Sequence, residues 1–392
     1  MRQTGWSQGC VAQSGRRVLR VAEYLVAMAP QRQVPVRSRA PLWGTLVVLG
    51  IALLVVSAQD QVLGQGGTWI VKAPLPTPRV GLAVGVVNGI LYAVGGAVLH
   101  VGGGGYRESI SSRVDAYDPS INLWTTKAPM PTPRDGLTVG VVDGMLYALG
   151  GSRSKFETMD AYDPVRNVWT AKAQMPTRRV LYAVGVAKGT LFTVGGWGVE
   201  TGPTGLVEAY DPITNKWTAK ASMPTPRVNL GVGVVNGMLY AVGGSCCNPG
   251  HGSRTLDTVE IYDPTTDTWT AKLPLPTPMD RPVVGVANNI LYAIGARPGP
   301  EFDIPVIVVQ AYDLSRNLWT TKAPLPGNRS PLGVGAVNGI LYAVGGSSLE
   351  KDATSGYSGL RLVVDGITYV FKPLPLSIPG SSKSDEMSTP CL

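Results

Sequence analysis

Arginine returns to one place along this chain. Arg79, Arg134, Arg179, Arg227 and Arg329 each precede a stretch rich in glycine and valine, and where Met279 takes the position Arg281 follows two residues later. The connection leading to them reads Pro-Thr-Pro-Arg three times, ending at Arg79, Arg134 and Arg227. A guanidinium is a fixed fork of donors that fits a carboxylate bidentately, so five or six of them around one opening would make an anion site. The same groups could instead cap backbone carbonyls or pair with neighbouring acids such as Asp135 and Asp280, since a repeated position is copied for structural reasons first.

What positions these arginines is a frame that occurs six times. From Trp69, Trp124, Trp169, Trp217, Trp269 and Trp319 to the next glycine pair or its equivalent (Gly95, Gly150, Gly195, Gly243, Gly295, Gly345) the distance is always 26 residues. From Tyr117, Tyr162, Tyr210, Tyr262 and Tyr312 to the following Trp it is always seven. Length varies only between the glycine pair and the Tyr, where the gaps are 22, 12, 15, 19 and 17 residues. A constant frame reads as scaffold, and insertions confined to one place read as the working surface.

Within the second copy, small and β-branched residues alternate from Gly136 to Val142, Asp143-Gly144 makes a two-residue hairpin turn, and Met145 to Leu149 returns. A third strand ends in Tyr-Asp-Pro, and a turn through Asn or Asp leads to a fourth strand headed by Trp. A four-stranded antiparallel meander with two apolar faces must pack against its neighbours, and radial packing closes the array. Glycine- and alanine-rich first strands (Gly81, Ala83, Gly85 in copy one) fit the crowded axis, while Tyr and Trp fit the wider gaps further out. The loop after the glycine pair shares a face with the inter-copy connection, so the arginines would ring one mouth of an axial channel beneath the variable loops.

The glycine doublet, the Tyr seven residues before the Trp and the Arg before the first strand resemble the kelch-repeat family, over about residues 69–375. The resemblance implies an all-β fold: a six-bladed β-propeller of four-stranded antiparallel kelch blades, here preceded by an N-terminal signal or anchor segment. In some kelch domains arginines at this motif position contact acidic peptides. Copy five departs with Gly295-Ala296 and Leu314, and copy six lacks Tyr-Asp-Pro and Trp. Its outer strands are either a degenerate Leu362–Phe371, with Tyr369 near the Trp position, or are partly supplied by Thr68–Lys72. The second option is preferred for the outermost strand.

Candidate loop contacts are Tyr106, Trp197, Glu200, Cys246, Cys247 and His251. Adjacent Cys246 and Cys247 could close a strained vicinal disulfide, remain as thiols, or bond singly to Cys391. The two histidines, His100 and His251, sit in loops of non-adjacent copies, so neither a metal nor a cofactor is expected. Two functions remain open: a binding module for protein or glycan, and a sugar-acid (sialic-acid-like) isomerase or lyase like those of some bacterial kelch proteins, using the arginines for a carboxylate and Glu200 or Glu108 as base. The near absence of histidine favours binding, by a monomer.

The net charge of +8 does not indicate a nucleic-acid partner. Residues 1–40 hold seven arginines and one acid, Glu23, leaving the repeats near neutral. Segment 1–41, with a possible true start at Met28, precedes an uncharged apolar run at 42–58 that ends Val-Ser-Ala. That pattern suits a cleaved secretory signal, or an uncleaved anchor that would be the chain's sole membrane contact. Either way the repeats are expected outside the cytoplasm, secreted, periplasmic or anchored. Residues 59–68 read as a linker and 376–392 as a disordered tail.

Overall fold

The computed structural model describes residues 66–372 except 103–104, 152–155, 249–251, 298–305, 328, 330–331, 352–359 and 364–365. The expected signal or anchor run, Met28, Cys10, Cys391 and the tail lie outside the described residues.

Six four-stranded antiparallel sheets follow one another. Blade one is Ala83–Val87, Ile90–Val94, Val114–Asp118 and Leu123–Lys127. Blades two to five repeat it over 138–171, 183–220, 231–272 and 280–322. The first strands touch in sequence around the ring, and Gly333–Val337 of blade six meets Ala83–Val87 of blade one, which closes the propeller. Closure depends on glycine at the centre of each first strand. A Cβ on Gly140 would lie 2.7 Å from Leu191 Cδ1 and 3.1 Å from Val184 Cγ1, so the missing side chain is the socket into which the next blade's valines fit.

The constant spacing of seven has a mechanical explanation. Tyr162 donates its hydroxyl to Asn167 Oδ1 at 2.6 Å, and the same oxygen accepts the Ala128 N–H at 2.9 Å. Trp169 Nε1 donates to the Ala128 carbonyl at 3.0 Å while its ring packs 5.0 Å from Tyr162. Blade two thus grips both backbone groups of a residue leaving blade one. Asn167 turns the chain at φ 57°, a conformation Asn tolerates. Equivalent clasps join Trp124 to Ala73, Trp217 to Ala173 and Trp269 to Ala221, and Trp319 donates likewise to Leu273.

Blade six is completed by the N-terminal strand. Thr68–Lys72 pairs antiparallel with Thr368–Lys372, in the order expected for a ring locked by its first strand. Trp69 Nε1 reaches the Ala323 carbonyl at 3.0 Å, and Gly66 O accepts the Ala323 N–H at 2.9 Å in place of the absent Asn. The alternative reading of Leu362–Phe371 needs correction: Leu362 belongs to a loop hairpin with Ser348–Lys351, and Phe371, opposite Trp69, takes the Tyr position. Tyr369, two residues earlier, takes another position described below.

In blade five the doublet's second glycine is Ala296 and the positive-φ break is gone. Strand Ile290–Arg297 therefore runs on, pairing with Val306–Asp313. Each outer strand ends in or is directly followed by lysine (Lys72, Lys127, Lys172, Lys220, Lys272, Lys322), a charge that discourages the exposed edges from pairing with other chains.

Candidate functional site

The arginines do lie together with the glycine doublets on the loop side, but they are not open to a ligand. Arg79, Arg134, Arg179 and Arg227 are all at most 2 % exposed. Arg79 donates to Asp115 Oδ2 at 2.6 Å, to Gly95 O at 3.0 Å and to Arg113 O at 2.8 Å. Arg134 meets Asp160 at 2.5 Å and Arg179 meets Glu208 at 2.6 Å, each also capping its own doublet's first carbonyl. Arg227 pairs with Glu260. The expected channel-mouth anion site is corrected accordingly. Each guanidinium ties the entry of its blade to the third strand, with a carboxylate already in place. Burial pushes Arg79 down to about 10, with Asp115 pulling the other way.

The acid stands two residues before the Tyr in every paired blade. Blade five has lost both partners together, carrying Met279 and buried Gln310. Blade six has Tyr369 at the acid position, and the buried Arg329 lies with its guanidinium 6.0 Å from the Tyr369 ring centroid. Of the six arginines expected at the mouth, only Arg281 is exposed; its Nε stands 3.6 Å from Asp280 Oδ2.

The loop candidates fall on different blades. Tyr106 belongs to the hairpin Ala97–Gly102 with Gly105–Ile110 of blade one, where His100 Nε2 lies 3.0 Å from Ser109 Oγ. Trp197 and Glu200 are on blade three. Cys246 is half-buried on blade four with a free thiol, and His251 lies outside the described residues. The vicinal disulfide is thereby corrected: Cys246 and Cys247 belong to a regular strand, Ser245–Asn248, paired residue by residue with Gly252–Thr255, whose extended backbone does not offer the turned peptide an eight-membered ring needs. Among the described residues no cluster of three or more metal-ligating side chains occurs.

Two surfaces stand out on the loop side, the first built around the expected contact Trp197 and the second missed from the sequence. On blade three, Arg179–Val180, Trp197–Gly198 and Gly202–Pro203 form a small three-stranded sheet that presents Trp197, 39 % exposed. Exposed Val199 hydrogen-bonds through its N–H to Arg178 O, and the Arg178 guanidinium sits over the Phe156 ring at 5.8 Å. At the axis, the residue two after Arg79, Arg134, Arg179, Arg227 and Met279 holds positive φ: Gly81, Gly136, Leu181, Asn229 and Arg281. Backbone bonds from Gly136 N to Gly81 O and from Asn229 N to Leu181 O link successive members around the mouth. The signal for this position was the glycine of copies one and two, which the other copies conceal.

Comparison with known proteins agrees with this architecture. The Kelch motif model matches three consecutive stretches, residues 133–176, 178–224 and 226–271. Kelch-like ECH-associated protein 1B of Danio rerio is 46 % identical over 86 residues, which is 22 % of this chain and 14 % of that protein. Kelch-like protein 28 of Homo sapiens is 36 % identical over 87 residues, 22 % of this chain and 15 % of that one. The chain thus spans about a seventh of the length of the curated relatives it matches. The solved structure of YjhT superposes with a TM-score of 0.60 over 78 % of this chain and 98 % of its own, at 17 % identity, a likeness of fold. Three consecutive Kelch motifs and the Kelch-like relatives support a kelch-repeat family for this chain, and the likeness to YjhT, with the clasps and the closed ring, shows a β-propeller fold.

Proposed function

We propose that this propeller is a binding module that takes a protein partner on its loop side, centred on blade three. Kelch propellers commonly serve as protein-interaction modules, and the observation that carries the reading here is Trp197 held exposed on its own small sheet beside Val199 and Arg178. Tryptophan and arginine are the side chains most enriched at binding hot spots, and a rigid platform lowers the entropy lost on docking. The test is quantitative binding of any isolated partner to the full chain and to Trp197→Ala. The reading requires at least a tenfold loss in Trp197→Ala and none in Ile213→Ser on the opposite face. Unchanged binding by Trp197→Ala would overturn it.

The isomerase or lyase reading ranks second. Its carboxylate clamp rested on the motif arginines, and those are occupied by carboxylates of the protein itself. Export remains part of the proposal, supported by the basic, apolar and small-residue order of 1–58. Mass spectrometry of the native N-terminus tests it: a start near Gln59 is expected for cleavage, whereas peptides from residues 3–20 in the mature protein would sink the signal reading.

A further inference from the structure

The axis of the ring carries a second feature, independent of docking at blade three. Each first strand is paired on one side only, with its blade's second strand. Beside a two-residue turn the flanking pair, such as Val87 and Ile90, is hydrogen-bonded in both directions, and bonded pairs then alternate along the hairpin. Val84 and Val86 therefore direct their N–H and C=O groups toward the axis, as do their counterparts in the other blades. Val84, Val139, Val184, Val232, Val284 and Val334 form one such ring, within an axial cavity of about 190 Å³.

Among the described residues no charged side chain lines that cavity. A charged guest would enter without a counter-charge, and an apolar guest would leave the backbone groups unsatisfied. The chemistry that fits is neutral and rich in hydroxyls. The volume corresponds to about six waters at about 30 Å³ each, enough for a sugar ring.

The mouth adds selectivity. Immediately before the lining residues Tyr182, Leu230 and Pro282 in the chain, the left-handed position is filled by Leu181 (φ 58°), Asn229 (φ 55°) and Arg281 (φ 49°), although Gly81 and Gly136 occupy it without strain in blades one and two. Leu181 and Arg281 hold this conformation at a cost in backbone energy of the kind that clusters at functional sites, whereas Asn229 tolerates it. Asn229 Nδ2 lies 3.5 Å from Asp280 Oδ1, and Arg281 extends into solvent beside them. Amide, carboxylate and guanidinium together supply the paired donors and acceptors that adjacent hydroxyls require, and Leu181 supplies an apolar wall.

We propose that the axial cavity and its mouth bind a small neutral polyhydroxylated molecule of monosaccharide size. Isothermal titration of the full chain with D-glucose, D-galactose and D-xylose, and with D-glucuronate as the charged analogue, tests this. At least one neutral sugar binds saturably, and glucuronate binds at least tenfold more weakly than glucose. The variant Asn229→Gly/Arg281→Gly weakens sugar binding at least tenfold and keeps its unfolding midpoint, because glycine fits both positions. Absence of saturable binding by every neutral sugar, preference for glucuronate, or unchanged binding in the double variant would each overturn the proposal. Trp197→Ala keeps sugar binding whether or not it abolishes protein docking, so the two readings fail separately.

Discussion

Arg79 and Asp115 form a salt bridge of 2.6 Å in which neither side chain is exposed to solvent. Asp115 also accepts from Arg113 Nε, at 2.9 Å to the same oxygen, and from Thr126 at 3.0 Å, so its lone pairs are well used. Asp115→Ala would strand a buried guanidinium and should destabilise by about 3–5 kcal/mol, read from urea unfolding. Blade five already shows the neutral solution, and the double variant Arg79→Met/Asp115→Gln is expected to recover most of that loss. Failure to recover would mean that the pair does more than tie its blade together.

Asn167 joins two blades through one oxygen while holding positive φ. Asn167→Gly keeps the conformation and removes two hydrogen bonds, at a cost of about 1–3 kcal/mol. Asn167→Ala adds backbone strain of about 1 kcal/mol or more. Thermal unfolding should rank them wild type, Gly, Ala; equal midpoints for Gly and wild type would show that the clasp is energetically idle.

Blade four builds the same clasp with Asp267, whose carboxyl is held below the ordinary value first by the Tyr262 hydroxyl and next by the Ala221 N–H. Above the ordinary value of 3.8 the stabilisation is fully present, since both folded and unfolded chains are ionised. Below it the unfolded chain takes up its proton first, and stability drains away as pH falls through the lowered folded value. Asp267→Asn should therefore flatten the fall of stability below about pH 4, where the ordinary carboxylate titrates. An unchanged acid profile would refute the assignment.

Gly140→Ala tests the interlock at the axis. With a Cβ 2.7 Å from Leu191 Cδ1, overpacking of about 1–3 kcal/mol is expected in chemical denaturation. Neutral behaviour would mean that adjacent blades are loosely fitted.

Ring closure can be probed at Trp69, which packs on Phe371 at 5.0 Å and bonds to blade five. Trp69→Ala should cost about 3–5 kcal/mol. Hydrogen exchange should accelerate first in Thr368–Lys372 and Ile340–Val344, the strands this residue covers. Uniform acceleration around the ring would argue against a seam at blade six.

The sequence by itself determined the repeat, the strands of the regular blades and their turns, and it narrowed the completion of blade six to two candidates. These rest on local chemistry: Asn-Gly turns need positive φ, alternation marks strands, and a seven-residue Tyr–Trp spacing sets one clasp. Only the tertiary structure decided what the arginines do. Their carboxylates lie 36, 26, 29 and 33 residues away, across the variable loops, and a short-range reading looks to Asp135 and Asp280 instead. The joint loss of charge at Met279 and Gln310 was a legible sign of that pairing. The left-handed rim of Leu181, Asn229 and Arg281 showed only through the glycines of copies one and two, because backbone conformation at a blade entrance is imposed by neighbours that meet only when the ring closes.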